Sequence, residues 1–117
     1  MLIRIDVTSS VPIFAQIAAS VRRAIADGDL APGDRLASAR DLAESLDVNL
    51  HTVLRGYQEL RDEGIIELRR GRGAVVTTRA KGRAAALLAL TAYIEEARRA
   101  GLTADEATRL VREGMNS

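Results

Sequence analysis

A chain of 117 residues, 47% hydrophobic and 28% charged, has room for one ordinary core and a short extension, which excludes a disordered polymer and two substantial domains. With no cysteine it can hold neither disulfides nor a thiolate metal site, so a reducing compartment, the cytoplasm, is the expected location. A formal net charge of +1 argues against polyanion binding through total charge and directs attention to how the charge is distributed.

At the start, Leu2, Ile3, Ile5 and Val7 alternate as a short strand that Thr8, Ser9 and Ser10 end. MLIRIDVTSS lacks an apolar h-region, and AAALLALTAYI (84 to 94) falls short of the roughly 18 residues a membrane span needs, so neither export nor insertion is expected. Pro12 suits the first turn of a helix, and Phe14, Ile17, Ala18, Val21, Ala24 and Ile25 recur at helical spacing until Gly28 closes it. The connector GDLAPGDRL leads to Ser38, which is placed to cap a short second helix while Asp41 returns the bond as in a capping box. Ala39, Leu42, Ala43 and Leu46 face inward, the pattern stops at Asp47 and Val48, and Asn49 is the next N-cap. A third helix runs from about Leu50 to Glu63, with Val53, Tyr57 and Leu60 inward and Gly64 as its stop. Two helices with so tight a turn predict a helix-turn-helix.

IIEL and AVVTT then read as two antiparallel strands joined through RRGRG, residues 69 to 73, whose glycines permit the turn. Alanine-rich residues 80 to 100 predict a fourth helix, Gly101 and Leu102 a turn, and Thr103 to Met115 a fifth, with Thr103 and Glu106 at capping-box spacing. Ala107, Leu110, Val111 and Met115 form an apolar stripe that two lone helices cannot bury, so a partner chain is expected. Leu87, Leu90, Ile94, Leu110 and Val111 are the candidate dimerisation residues.

Between Glu67 and Glu95 there is no acidic residue, while Arg69, Arg70, Arg72, Arg79, Lys81 and Arg83 crowd the first part of that interval. In a helix-turn-helix the second helix lies in the major groove with its N-terminal residues on base edges, which singles out Asn49, His51, Thr52 and Arg55. Taken singly, Asn49 can be a cap only, Thr52 its support and His51 a solvated residue. Their weight comes from convergence with Arg40 and the arginine-tipped hairpin, because a guanidinium binds phosphate or guanine bidentately and stays charged. Leu50 and Leu54, near the same face, could each touch a thymine methyl, but packing is the role expected of both.

The segment PIFAQIAASVRRAIADGDLAPGDRLASARDLAESLDVNLHTVLRGYQELRDEGIIELRRGRGAVV resembles the winged-helix DNA-binding domain of the GntR family of bacterial transcriptional regulators. PGDRL, RDLAESLDV, YQELRDEGII and RRGRG carry the resemblance over roughly residues 10 to 77, and the short tail is similar to the YtrA-like branch, whose members dimerise through it. The resemblance implies a mostly α fold with a small β-hairpin wing: a winged helix-turn-helix over 1–79 and a helical-hairpin dimerisation tail over 80–117. It further implies that Arg40, Asn49, His51, Thr52 and Arg55 meet double-stranded DNA and that Arg70, Gly71 and Arg72 form a wing at the minor groove, whose negative potential favours arginine. Ala37 stands where the family has proline, loosening the start of the second helix, and Asp47 stands where a turn glycine is common.

These features predict a homodimeric, operator-specific regulator, a repressor, acting on an inverted repeat; the YtrA-like branch adds control of neighbouring transporter genes. The alternative is an interaction adaptor on the same scaffold, for which Arg40 and the wing arginines would have no combined use. No enzyme is expected and no cofactor, because one histidine, no cysteine and no GxxxxGK[ST] or HExxH motif leave nothing to build a catalytic or metal site. A tail of this length offers little volume against the roughly 300 Å³ of a ligand pocket, so a small-molecule effector would have to bind between subunits.

Overall fold

In the computed structural model, described over residues 3–117, Pro12 supplies the N-cap of α1 (Ile13–Ala26), which ends at Asp27 before Gly28 adopts a φ of 86°. The helix α2 (Ala39–Leu46) follows a connector, and α3 (Leu50–Asp62) follows a two-residue turn and its cap. Then come β1 (Ile66–Arg69), β2 (Gly73–Val76), α4 (Ala80–Arg99) and α5 (Ala104–Met115).

The core lies where α1, α3 and the sheet meet, and Ile17, Val21, Ile25, Val53, Leu60, Ile65 and Ile66 are its fully buried large side chains. α1 and α3 approach closely at Gly56, where a Cβ would stand 3.0 Å from the Phe14 carbonyl oxygen. Arg22 of α1 reaches Glu63, the C-cap of α3, through a two-pronged pair, Nε to Oε1 at 3.0 Å and Nη2 to Oε2 at 2.6 Å. α4 is rooted in the same core: Ala80 and Ala84 are fully buried and Leu87 packs against the cluster.

β1 and β2 pair antiparallel with Ile66 opposite Val76 and Arg69 opposite Gly73, so the ladder takes in the first and last residues of RRGRG and stops before Thr77. The connector adds a further rung on the free side of β2: Gly33 N–H donates to the Val76 carbonyl, Val76 N–H to that of Asp34, and Leu36 N–H to that of Ala74, each at 2.9 Å. Connector and hairpin therefore act as one sheet.

Two local expectations are corrected. Residues 3 to 7 do not form a strand; Leu2 lies outside the described residues. Ile3 is buried and Ile5 partly so, but Val7 is 78% exposed, and the backbone is held by a side chain in place of a neighbouring strand. Gln16 Oε1 accepts from Asp6 N–H at 2.7 Å, and Gln16 Nε2 donates to the carbonyls of Asp6 and Val11. At α2 only half of the capping box forms: Ser38 Oγ accepts from Asp41 N–H at 3.1 Å, with no return bond among the described residues. Aspartate is a methylene too short, whereas Glu106 at α5 completes the reciprocal pair with Thr103.

α5 buries no residue, and Tyr93 Oη, donating to the Ala107 carbonyl at 2.8 Å, ties it to α4. Leu90, Ile94, Leu110, Val111 and Met115 are exposed, so the apolar stripe of the tail is uncovered in the single chain. The tail nevertheless folds around a cleft of about 360 Å³, with Ile94, Ala97, Leu102 and Ala107 in its walls, more volume than its length suggests.

Candidate nucleic-acid interface

The turn between α2 and α3 depends on Asp47, whose φ of 55° and ψ of 50° place it in the left-handed region that aspartate tolerates better than most residues. Asn49 then caps α3, its Oδ1 accepting from His51 N–H at 2.8 Å, which leaves the side-chain NH2 as a donor facing outward with the exposed residue. Arg40, in the first turn of α2, is exposed and lines a shallow groove with Glu44, Asp47 and Leu50. The structure thus brings Arg40 and the start of α3 to one surface. Tyr57, buried, donates its hydroxyl to the Ala37 carbonyl at 2.7 Å and so fixes the residue before the Ser38 cap. That bond supplies, from α3, the rigidity that proline would have given at position 37. Burial pushes the Tyr57 phenol up to about 12.

Along α3, His51, Leu54, Arg55 and Gln58 are exposed at helical spacing, while Thr52 is half-buried on the flank. Leu54, assigned to packing from the sequence, is 36% exposed between His51 and Arg55. Its separation of three residues from His51 was the available signal, and a further step of four brings in Gln58. Leu50 packs against the core as expected. The Arg55 guanidinium lies 3.8 Å from the centroid of the Phe14 ring, a cation–π stack that holds the charge beside α1 and steadies the side chain.

The wing tip is the three-residue turn Arg70, Gly71, Arg72, closed by Arg72 N–H donating to the Arg69 carbonyl at 3.1 Å. Gly71 and Gly73 have φ of 80° and 74°, which explains two glycines among the arginines. Arg69 is occupied by Glu67, with Nε and Nη2 at 3.0 and 2.8 Å from Oε2, but Arg70 and Arg72 have no side-chain partner among the described residues. Two unpaired arginines therefore stand at the tip, on a loop with no bulk at its centre. Among the described residues no cluster of three acidic or histidine side chains could hold a metal ion, and no helix is long and apolar enough to cross a membrane.

Against known proteins, residues 14–76 match the model of "Bacterial regulatory proteins, gntR family". The HTH-type transcriptional repressor YtrA of Bacillus subtilis (strain 168) is 44% identical over 80 residues, which is 68% of this chain and 62% of that protein. The HTH-type transcriptional regulator Rv1152 of Mycobacterium tuberculosis is 37% identical over 107 residues, 92% of this chain and 88% of that one. Among solved structures, YtrA from Sulfolobus acidocaldarius, a GntR-family transcription factor, superposes with a TM-score of 0.63 at 41% identity, covering 78% of this chain and 99% of that chain. These relatives are named as regulators, and neither an adaptor nor an enzyme has a counterpart among them.

Proposed function

Because the chain belongs to the gntR family of bacterial regulatory proteins, on the YtrA-like branch, we propose that it is a homodimeric, sequence-specific DNA-binding regulator that represses transcription from an inverted-repeat operator. The observation that carries this reading is the coexistence of a capped, outward-facing start of α3 with a wing tip bearing two unpaired arginines. In this reading Asn49, His51, Thr52 and Leu54 address base edges, Leu54 through a thymine methyl, while Arg40 and Arg55 take phosphates. Arg70 and Arg72 grip the duplex beside the groove, with Gly71 permitting close approach.

Residues 1–79 act as the reading head and 80–117 as the tail that joins two copies through Leu90, Ile94, Leu110 and Val111; Leu87, expected in the same set, packs against the core cluster and is left out of it. A two-fold dimer calls for an inverted repeat. Any small-molecule effector would bind at the subunit boundary, where the cleft between α4 and α5 shares Ile94 with the apolar face. Cytoplasmic location follows from this role.

The test is fluorescence anisotropy on the DNA upstream of the gene and on scrambled DNA across a range of salt. Four phosphates per subunit give a log-log salt slope near −7, at roughly −0.9 per phosphate. Arg40→Ala should weaken promoter binding and reduce the slope. Equal binding to both DNAs, unchanged by Arg40→Ala, would overturn the reading and favour an adaptor.

A further inference from the structure

Val75 is only 4% exposed, yet it lies on the face of the hairpin turned away from the core, opposite Glu67 in the ladder. Ile66, Ala74 and Val76 belong to the core cluster and Val75 does not. Val75 is among the residues that line a cleft of about 340 Å³ at the junction of the connector, the hairpin and the residues leading into α4. Its walls carry Arg69, Arg72 and Arg79 with Thr78, and Gly33 borders it from the connector. The only acid in its lining, Glu67, is already engaged by Arg69. Arg72 and Arg79 have no side-chain partner among the described residues, so the lining of the cleft carries two unneutralised guanidiniums.

The start of α4 adds to this imbalance. This 20-residue helix has Arg79 at its N-cap position with no side-chain cap bond, has no acid in its first turn, and carries Lys81 and Arg83 close behind. Cations at a helix N-terminus oppose the peptide dipoles, and an anion there relieves them. Arg83 is turned away to the Glu63 carbonyl, while Arg79 lines the cleft.

We propose that this cleft is a phosphate-binding site in which Arg72 of the wing and Arg79 at the root of α4 clasp one phosphoryl group, with Thr78 as a further donor. Arg79 does not belong to the reading surface described above, so the site is a separate one that shares Arg72 with the wing tip and Arg69 and Val75 with the wing strands. A phosphoryl group held between these two arginines would tie the wing to the helix that carries the tail. The group comes either from the DNA backbone beside the wing or from a small phosphorylated molecule in solution, and the volume admits both.

The probe is inorganic pyrophosphate, titrated calorimetrically into the full chain at ionic strength held constant with chloride. The expected result is saturable binding that Arg79→Gln weakens at least tenfold, that Arg79→Lys weakens less, and that Arg23→Gln, an exposed arginine of α1, leaves unchanged. A second arm, which rests on the DNA-binding reading, compares wild type and Arg79→Gln on DNA in phosphate-free buffer. If the backbone supplies the group, the variant's salt slope is shallower by about 0.9 per subunit and pyrophosphate competes with DNA. If a free molecule supplies it, the variant binds DNA as the wild type does but loses any response of DNA binding to pyrophosphate. Pyrophosphate acting no differently from chloride, together with an unaltered slope in Arg79→Gln, overturns the proposal, as does saturable binding that Arg79→Gln leaves intact. Failure of the wild type to prefer its promoter would instead count against the regulator reading, since the calorimetric arm needs no DNA.

Discussion

Replacing Arg22 by methionine tests how the reading helix is anchored. One of the two hydrogen bonds to Glu63 is short, at 2.6 Å, and the side chains are 14% and 20% exposed, so the pair lies between a surface bridge and a buried one. Exposed pairs contribute under about 1 kcal/mol, and removing one partner of a buried pair costs about 3–5 kcal/mol. Arg22→Met should therefore cost about 2 kcal/mol, since Glu63 is left without its partner and Glu59, 3.9 Å from the same guanidinium, offers no substitute. For a chain of this length that is a fall in Tm of about 8 °C. The assay is thermal unfolding at fixed protein concentration of wild type, Arg22→Met, Glu63→Met and the double variant. The double variant should recover most of the loss, because two packed methionines leave no unpaired charge, giving a coupling of about 1.5 kcal/mol or more. A coupling below about 0.5 kcal/mol would mean that the pair does not hold α3 to α1.

Gly56→Ala should destabilise by about 1–2 kcal/mol, even though alanine is the better helix former, because the new methyl meets the Phe14 carbonyl; Gly82→Ala, with nothing within 4 Å, should stabilise by about 0.5–1 kcal/mol in the same unfolding assay. Tyr57→Phe should cost about 1 kcal/mol by leaving the Ala37 carbonyl without its donor. The raised phenol of Tyr57 predicts a matching pH dependence: the unfolded chain ionises near 10.0 and the folded one at about 12, so this contribution is complete below pH 10.0, is lost as pH rises towards 12, and should vanish from an alkaline denaturation series of Tyr57→Phe. Leu110→Glu should shift the protein from dimer to monomer in sedimentation and weaken promoter binding while leaving the unfolding of the reading head in place; a dimer that survives it would place the interface elsewhere.

Local chemistry made much of this fold legible. Asn49, Gly64, Thr103 with Glu106, and the tolerance of Asp47 for a left-handed turn are written in short stretches whose hydrogen bonds close within a few residues. What escaped depends on neighbours distant in sequence. An alternating run at residues 3 to 7 becomes a strand only beside another strand, and here Gln16 takes its backbone groups. The rung that the connector adds to β2, the tie between Arg22 and Glu63 across 41 positions, and the stack of Arg55 on Phe14 have no local signature. At the candidate site the arginines of RRGRG were visible as a group, but which of them Glu67 occupies was not: the strand β1 sets Glu67 and Arg69, two residues apart, on one face, which leaves Arg70 and Arg72.

The rooting of α4 in the core fixes a phase relationship. Ala80, Ala84 and Leu87 bind one end of a continuous helix to α1, and Leu90 and Ile94 appear farther along the same rod with no joint between them. One residue inserted after Leu87 would turn everything beyond it by about 100° and advance it by about 1.5 Å, whereas four would bring the angle back to within about 40° while advancing it by about 6 Å. The helix thus behaves as a keyed shaft, and the angular setting of one end relative to the other is counted in residues.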